Sequence, residues 1–175
     1  LTPRLIQDLA QGRLDTAIVA LPASEPSFAE APLFTENFVL VRPSADHGKP
    51  APSSDMLREM RLLLLEEGHC FRDQALSYCS MQSAPPREIM NGSSLSTLVQ
   101  MVSAGLGVTL IPEMAVAVES RSAAVSVTRF QNPQPSRTIG MIWRKKSPLA
   151  EQLTQIADAV RDAARTVQDR PHPAL

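Results

Sequence analysis

The chain has 175 residues, 43% hydrophobic and 20% charged, a composition typical of a folded globular protein and not of a disordered one. Its 17 basic and 18 acidic residues give a net charge of -1. A domain that binds the phosphates of DNA by itself would normally have an excess of basic residues, which this chain lacks. Its apolar runs are too short to cross a bilayer and no signal peptide opens it, so we expect a cytoplasmic protein without membrane contact.

The first part of the chain predicts one helix and two strands. Thr2-Pro3 is typical of a helix opening, with Thr2 as the N-cap, and Gly12 ends that helix. Residues 14–21 are too apolar for an alternating surface strand, so we expect a buried strand there, and residues 32–41 predict a second strand.

The rest of the chain alternates between helical and extended patterns. We expect a short helix capped by Ser54, an amphipathic helix from Leu95 to about Gly105, and a long amphipathic helix opened by Ser147-Pro148. The expected strands are 61–65, 87–91, 108–111, 124–130 and 138–143, with a further helix over 70–80 after the first of them. This alternation predicts an α/β fold with mostly parallel sheets, and the connections 43–54 and 132–136 would suit chain crossings between two lobes.

The two cysteines are too few for a disulfide scaffold, and with three histidines they form no familiar metal-ligand set. Most such pairs in a cytosolic protein are inert buried thiols. Cys70, however, stands where a strand turns into a helix, and unpaired N–H groups at a helix start favour a thiolate. His69 and Arg72 can add positive charge or hydrogen bonds, and such surroundings make a thiol reactive toward peroxide. From these features alone, both a reactive and an inert Cys70 stay open.

Cys79 occupies a different position on the same predicted helix. Nine residues correspond to a rise of about 13.5 Å and place the two thiols on opposite sides, with Cys79 on an apolar stripe beside Phe71, Ala75 and Tyr78. A disulfide needs Cα atoms roughly 4.4–6.8 Å apart. If the two cysteines pair, the helix must therefore unwind.

The order Gly-His-Cys-x-Arg-Asp-Gln-Ala over residues 68–75, followed by Cys79, resembles the redox segment of OxyR-type peroxide sensors within the LysR family. Residues 94–98 and the Gly-Leu-Gly-Val-Thr-Leu-Ile-Pro element at 105–112 are similar to the LysR effector domain more broadly. The resemblance runs from Thr2 to about residue 165.

The resemblance implies a two-lobed α/β domain like a periplasmic binding protein. Lobe I would comprise residues 1–35 and 137–167, lobe II residues 36–136 with the redox segment, and residues 168–175 a flexible tail. The family's N-terminal winged helix-turn-helix and the first strand and helix of lobe I are absent from this sequence, which starts at Leu1 as though cut from a longer chain.

The resemblance also implies a chemical switch. Hydrogen peroxide would oxidise Cys70 to a sulfenic acid and Cys79 would resolve it as a disulfide, so that the domain is a sensor and not an enzyme. The family positions that line the peroxide pocket match Thr2, His69, Asp73 and Arg137. Three of them have a plainer interpretation: Thr2 as a helix cap, Asp73 as a partner of the helix dipole, and Arg137 as a surface ion pair. If Arg137 and Thr2 instead hold a peroxide oxygen, Arg137→Ala should slow oxidation without much change in stability.

The partners implied by the resemblance are a second copy of the chain in a homodimer or homotetramer, DNA through the absent winged helix-turn-helix, RNA polymerase and a cellular dithiol reductant, with no metal or cofactor. Two alternatives stay open. A thiol peroxidase would turn over peroxide with thioredoxin, although the Pro-x-x-x-Thr-x-x-Cys loop of peroxiredoxins is absent. A LysR-type domain that binds a metabolite in the interlobe cleft would still respond after Cys70→Ser.

Overall fold

The computed structural model describes residues 1–67, 69–80, 88–131 and 134–168, and the predicted tail falls almost wholly outside them. The chain divides into unit 1, with residues 1–36 and 137 onwards, and unit 2, with residues Asn37–Ser136. It passes between them inside one long strand, after Glu36, and again at Ser136. The predicted crossing at 43–54 is wrong, because that connection lies within unit 2.

The helices and strands follow one another in an order close to the predicted one. The helices are α1 (Thr2–Ala10), α2 (Ser54–Glu59), α3 (Cys70–Ser80), α4 (Leu95–Ser103), α5 (Val116–Glu119) and α6 (Ala150–Gln168), with short 3-10 turns at Ser44–Asp46 and Glu113–Ala115. The strands are β1 (Thr16–Leu21), β2 (Phe28–Pro43), β3 (Arg61–Leu65), β4 (Glu88–Gly92), β5 (Thr109–Pro112), β6 (Val125–Arg129) and β7 (Ser136–Arg144). In the described part of the chain, no helix has the length and apolar character that a membrane span requires.

Unit 1 packs α1 and α6 against strands β1, β7 and the first part of β2. Its apolar side chains form two buried clusters, which contain Leu9, Ala17, Val19, Phe28 and Ile142 in one and Leu33, Met141, Trp143, Leu153 and Ala157 in the other. β1 is not the fully buried strand that its composition predicts, because Ile18 is 54% exposed. Ile156 of α6 is likewise exposed, since only one face of the helix packs against the sheet.

Two predicted helix caps are wrong by one residue, the usual uncertainty of helix ends. Thr2 is the first helical residue of α1, whose N-cap is Leu1 without a side-chain bond. α2 is capped by Ser53, whose hydroxyl oxygen accepts a hydrogen bond of 3.2 Å from the Met56 N–H, and not by Ser54.

Unit 2 is built on βαβ connections. β3 and β4 are parallel and joined by α3, and a parallel bridge between Leu62 and Val108 places β3 beside the chain leading into β5. β2 pairs antiparallel with both β5 and β6. The strands that follow helices therefore run in one direction, whereas β2, which enters from unit 1, runs against them.

The expected two-lobed α/β architecture is confirmed, but the expectation of mostly parallel sheets is wrong for unit 1 and for β2. β1 and β7 pair antiparallel from Thr16–Trp143 to Leu21–Thr138. These paired strands are not consecutive in the chain, so no single βαβ unit joins them and imposes a parallel arrangement.

The core of unit 2 surrounds strand β3, whose residues Leu62, Leu63 and Leu64 are fully buried. The chain before β5 approaches β3 so closely that a Cβ added at Gly107 would lie 2.4 Å from the Arg61 carbonyl oxygen. Glycine is therefore required at this position of the Gly-x-Gly element, where the chain leading into β5 lies directly against the start of β3.

Candidate functional site

Cys70 is the first residue of α3, and a short connection joins it to the carboxyl end of β3. Its thiol is free and half-buried, and His69 before it is also half-buried. The His69 carbonyl oxygen accepts a 2.9 Å hydrogen bond from the Arg72 N–H, which closes the first turn. The predicted position of Cys70 at a strand-to-helix junction is thus confirmed, and N–H groups of a helix start surround its backbone.

The apolar face of α3 packs into the core of unit 2. Phe71 is 4% exposed and meets Phe38 edge to face, with ring centroids 5.0 Å apart, while Ala75 is fully buried. Tyr78 contacts the ring of Phe130 at 5.3 Å. The predicted stripe is confirmed for these residues of α3, whereas the side chain of Cys79 lies outside the described part.

Cys70 and Cys79 belong to one helix, α3, which spans Cys70–Ser80. The rise of an α-helix separates their backbones by about 13.5 Å along the axis. A disulfide tolerates a Cα separation of roughly 4.4–6.8 Å. In this intact helix, Cys70 and Cys79 are therefore too far apart to form a disulfide, as their spacing in the sequence predicts.

Two features of α3 were missed by the sequence reasoning. The Arg72 guanidinium extends to the strand ends, where its Nη1 donates to the Leu65 carbonyl oxygen at 2.8 Å and to Asn91 Oδ1 at 2.6 Å. The Gln74 side-chain oxygen is buried and has no hydrogen-bond partner among the described residues. The spacing of four from Cys70 could have identified Gln74, because residues i and i+4 share a helix face.

Asp73 is exposed in the first turn of α3, where its charge also matches the helix dipole. His69 and Asp73 belong to unit 2, and Thr2 and Arg137 belong to unit 1. The grouping of these four residues around one peroxide molecule stays a prediction. Thr2 is half-buried and makes no cap bond, so the plainer interpretation of Thr2 as a helix cap is wrong.

Arg137 forms a buried ion pair with Glu36 inside unit 1. Its Nε and Nη2 atoms lie 2.6 and 2.5 Å from Glu36 Oε1, and the two side chains are only 15% and 5% exposed. The interpretation of Arg137 as a surface ion pair is therefore wrong. Glu36 Oε2 is buried without a hydrogen-bond partner in the described residues, so the pair is neither fully satisfied nor solvated.

The family model for the LysR substrate binding domain matches residues 1–165. The chain belongs to the LysR substrate-binding domain family. Within the described part of the structure, no group of three or more histidine, cysteine or acidic side chains is arranged to hold a metal ion.

Relatives of this LysR-family chain are named as activators of hydrogen peroxide-inducible genes or as OxyR. It is 43% identical over 174 residues to a probable hydrogen peroxide-inducible genes activator from Streptomyces viridosporus, covering 97% of this chain and 55% of that protein. It is 39% identical to the DNA-binding transcriptional dual regulator OxyR of Escherichia coli, covering 91% of this chain and 53% of that protein. The chain thus spans about half the length of the curated relatives it matches.

Solved structures of similar fold are also named OxyR. An OxyR C206S mutant from Corynebacterium glutamicum with bound H2O2 has a TM-score of 0.84 and 32% identity, with 94% of this chain and 54% of that one covered. The reduced regulatory domain of OxyR from Pseudomonas aeruginosa has a TM-score of 0.76 and 37% identity, with 91% of this chain and 78% of that one covered.

Proposed function

We propose that this chain is the peroxide-sensing regulatory domain of a LysR-type transcription regulator, with Cys70 as the residue that peroxide oxidises. The observation that carries the proposal is the free, half-buried thiol of Cys70 on the first residue of α3, with Cys79 nine residues further on the same helix. The names of the relatives and of the similar structures support the same conclusion.

The chemistry proceeds in two steps. The Cys70 thiolate attacks one oxygen of hydrogen peroxide, the O–O bond breaks, and the products are Cys70 sulfenic acid and hydroxide. The Cys79 thiol then attacks the sulfenic sulfur, so that a disulfide forms and water leaves. Two electrons pass from the two thiols to peroxide, and a cellular dithiol would return them.

The geometry converts this chemistry into a change of shape. Because the backbones of Cys70 and Cys79 are about 13.5 Å apart along the helix, the disulfide requires that α3 unwind. Unwinding removes helical hydrogen bonds and the packing of Phe71 and Tyr78, at a cost on the order of several kcal/mol. The disulfide would therefore be strained and readily reduced, as a reversible switch requires.

The pocket residues would supply hydrogen bonds to peroxide. His69 precedes Cys70 directly, Asp73 stands in the same helical turn, and Gln74 adds a buried oxygen acceptor one turn after Cys70. For Thr2 and Arg137 the assignment comes from the resemblance. Arg137 would stabilise the negative charge that develops on the departing oxygen, and the buried Glu36 would hold its guanidinium in place.

In the longer protein, this domain would regulate antioxidant genes and not catalyse turnover. A winged helix-turn-helix outside this chain would contact DNA, and RNA polymerase would act on the bound regulator. The regulator would assemble as a homodimer or homotetramer in the cytoplasm. Remodelling of α3 on oxidation would change that assembly.

Mass spectrometry after brief treatment with stoichiometric hydrogen peroxide tests the proposal. The wild-type chain should lose about 2 Da through an intramolecular disulfide, and Cys79→Ser should gain about 16 Da as a sulfenic acid at Cys70. Cys70→Ser should remain unchanged. Rapid multiple turnover of peroxide with thioredoxin would instead indicate a peroxidase, and an unmodified wild-type chain would refute the peroxide sensor.

A further inference from the structure

The hydrogen bonds of Arg72 tie the redox helix to the sheet of unit 2. One nitrogen, Nη1, donates both of its protons, to the carbonyl oxygen of Leu65 and to the side-chain oxygen of Asn91. Leu65 is the last residue of β3 and Asn91 the penultimate residue of β4. Through a side chain two residues after Cys70, the first turn of α3 is thus fastened to both strand ends.

The strand ends that receive Arg72 are themselves firmly held. Leu65 pairs with Gly92 in the parallel register, and the Glu66 N–H donates to the Gly92 carbonyl oxygen at 3.2 Å. Gly92 is buried under Leu98 of α4 so tightly that a Cβ there would lie 2.7 Å from a Leu98 carbon. The ends of β3 and β4 are therefore held in place by their own contacts, whereas α3 can move away from them.

We propose that Asn91, acting through Arg72, is a positioning residue for the cysteine reaction: it holds the first turn of α3 in place while the protein is reduced. The inference rests on the proposed function. The Arg72–Asn91 hydrogen bond belongs to the helical state, and closing the Cys70–Cys79 disulfide unwinds the segment that carries Arg72. The bond therefore favours the dithiol over the disulfide.

The Arg72–Asn91 hydrogen bond should affect the reduction potential of the Cys70–Cys79 disulfide. Removing a hydrogen bond that is present only in the dithiol form destabilises that form. The disulfide then becomes harder to reduce, and its reduction potential becomes more negative. A hydrogen bond to a charged guanidinium corresponds to a shift on the order of tenfold in the equilibrium, which is about 30 mV for a two-electron couple. Asn91 is exposed, so its replacement leaves no buried polar group without a partner.

The experiment equilibrates the whole chain with dithiothreitol buffers and scores the disulfide fraction by mass. Asn91→Ala should shift the equilibrium toward the disulfide by about tenfold, and Asn91→Asp, a charged acceptor, should shift it the other way. Glu113→Gln, which removes the negative charge that pairs with Arg129 elsewhere in unit 2, should leave it unchanged.

The outcomes separate this inference from the function on which it rests. If peroxide forms no Cys70–Cys79 disulfide in the wild-type chain, the proposed function fails. If that disulfide forms and both Asn91 variants have the wild-type potential, the positioning role of Asn91 is refuted while the sensor remains. An equal shift in Glu113→Gln would likewise overturn it, because the effect would then not depend on the Arg72 contact.

Discussion

At the scale of single residues, Cys70 and Cys79 lie in different surroundings. Cys70 begins a helix, where unpaired N–H groups and the dipole favour negative charge, and its thiol is half-buried. Cys79 lies in the last turn of the same helix, where the dipole favours positive charge. The two cysteines thus lie at opposite ends of one helix.

We therefore predict that Cys70 reacts much faster than Cys79. In Cys79→Ser, iodoacetamide should label the remaining thiol at least about tenfold faster than it labels the thiol of Cys70→Ser, because the thiolate is the nucleophile. Peptide mapping over a time course measures both rates. Equal rates in the two variants would contradict the assignment of Cys70 as the residue that peroxide attacks.

The buried Glu36 changes what is expected of Arg137. Replacing Arg137 with alanine leaves an uncompensated buried carboxylate, so we expect a loss of about 3–5 kcal/mol of folding free energy. The expectation from sequence, that stability would hardly change, no longer stands. The double variant Glu36→Gln, Arg137→Gln should recover most of the stability, and urea unfolding measures the difference.

The same pair of variants tests the pocket role of Arg137. If its guanidinium stabilises the departing peroxide oxygen, the stable double variant should still oxidise more slowly with hydrogen peroxide, by roughly tenfold or more. Its alkylation by iodoacetamide should be unaffected, since no oxygen departs in that reaction. A normal oxidation rate in the double variant would show that Arg137 is only structural.

At the scale of secondary-structure elements, the redox segment depends on how β3, α3 and β4 are fixed to one another. The Gly105-Leu106-Gly107 turn ends α4 and brings the chain against β3, so that the Val108 N–H donates to the Arg61 carbonyl oxygen at 3.0 Å. Two glycines serve this turn for different reasons. Gly105 adopts a positive φ with open space around it, whereas Gly107 has no room for a side chain.

We predict that the two glycines differ in their tolerance of alanine. Gly105→Ala should cost about 1 kcal/mol, because only the left-handed backbone conformation is penalised. Gly107→Ala should cost about 3 kcal/mol or more, since the added carbon meets the backbone of β3. The midpoints of urea unfolding compare the two, and equal losses would mean that the chain shifts freely away from Arg61.

At the scale of the whole molecule, the chain crosses twice between its two units, inside β2 and at the start of β7. Each unit has its own buried clusters, and both cysteines belong to unit 2. A chemical event at Cys70 therefore acts first on the packing of unit 2.

We predict that oxidation lowers hydrogen-exchange protection in α3 while two other helices keep theirs. Amides of residues 71–80 should lose most of their protection in the oxidised protein, because the disulfide cannot form on an intact helix. Helix α4 in unit 2 and helix α1 in unit 1 should keep theirs and act as internal references. Retained protection of α3 in a protein shown by mass to carry the disulfide would exclude the unwinding mechanism.

The sequence by itself determined the features that depend on neighbouring residues. The start of α3 at Cys70, strand β3 and the apolar stripe of Phe71 and Ala75 follow from local periodicity, and the structure agrees. The element at 105–112 also resembled the LysR family that the comparison with known families identifies, and the order of residues around Cys70 resembled its OxyR-type members. Such signals survive in sequence because each involves side chains within one or two helical turns.

Only the tertiary structure decided the contacts between distant residues. Glu36 and Arg137 are 101 residues apart, and Arg72 and Asn91 are 19 apart, so no periodicity pairs them. Nor could composition reveal that Ile18 faces outward or that β1 and β7 run antiparallel. Long-range packing fixes which polar groups meet. It buries Glu36 with Arg137, which gives that pair its influence on stability, and it brings Asn91 to Arg72 in the first turn of the redox helix.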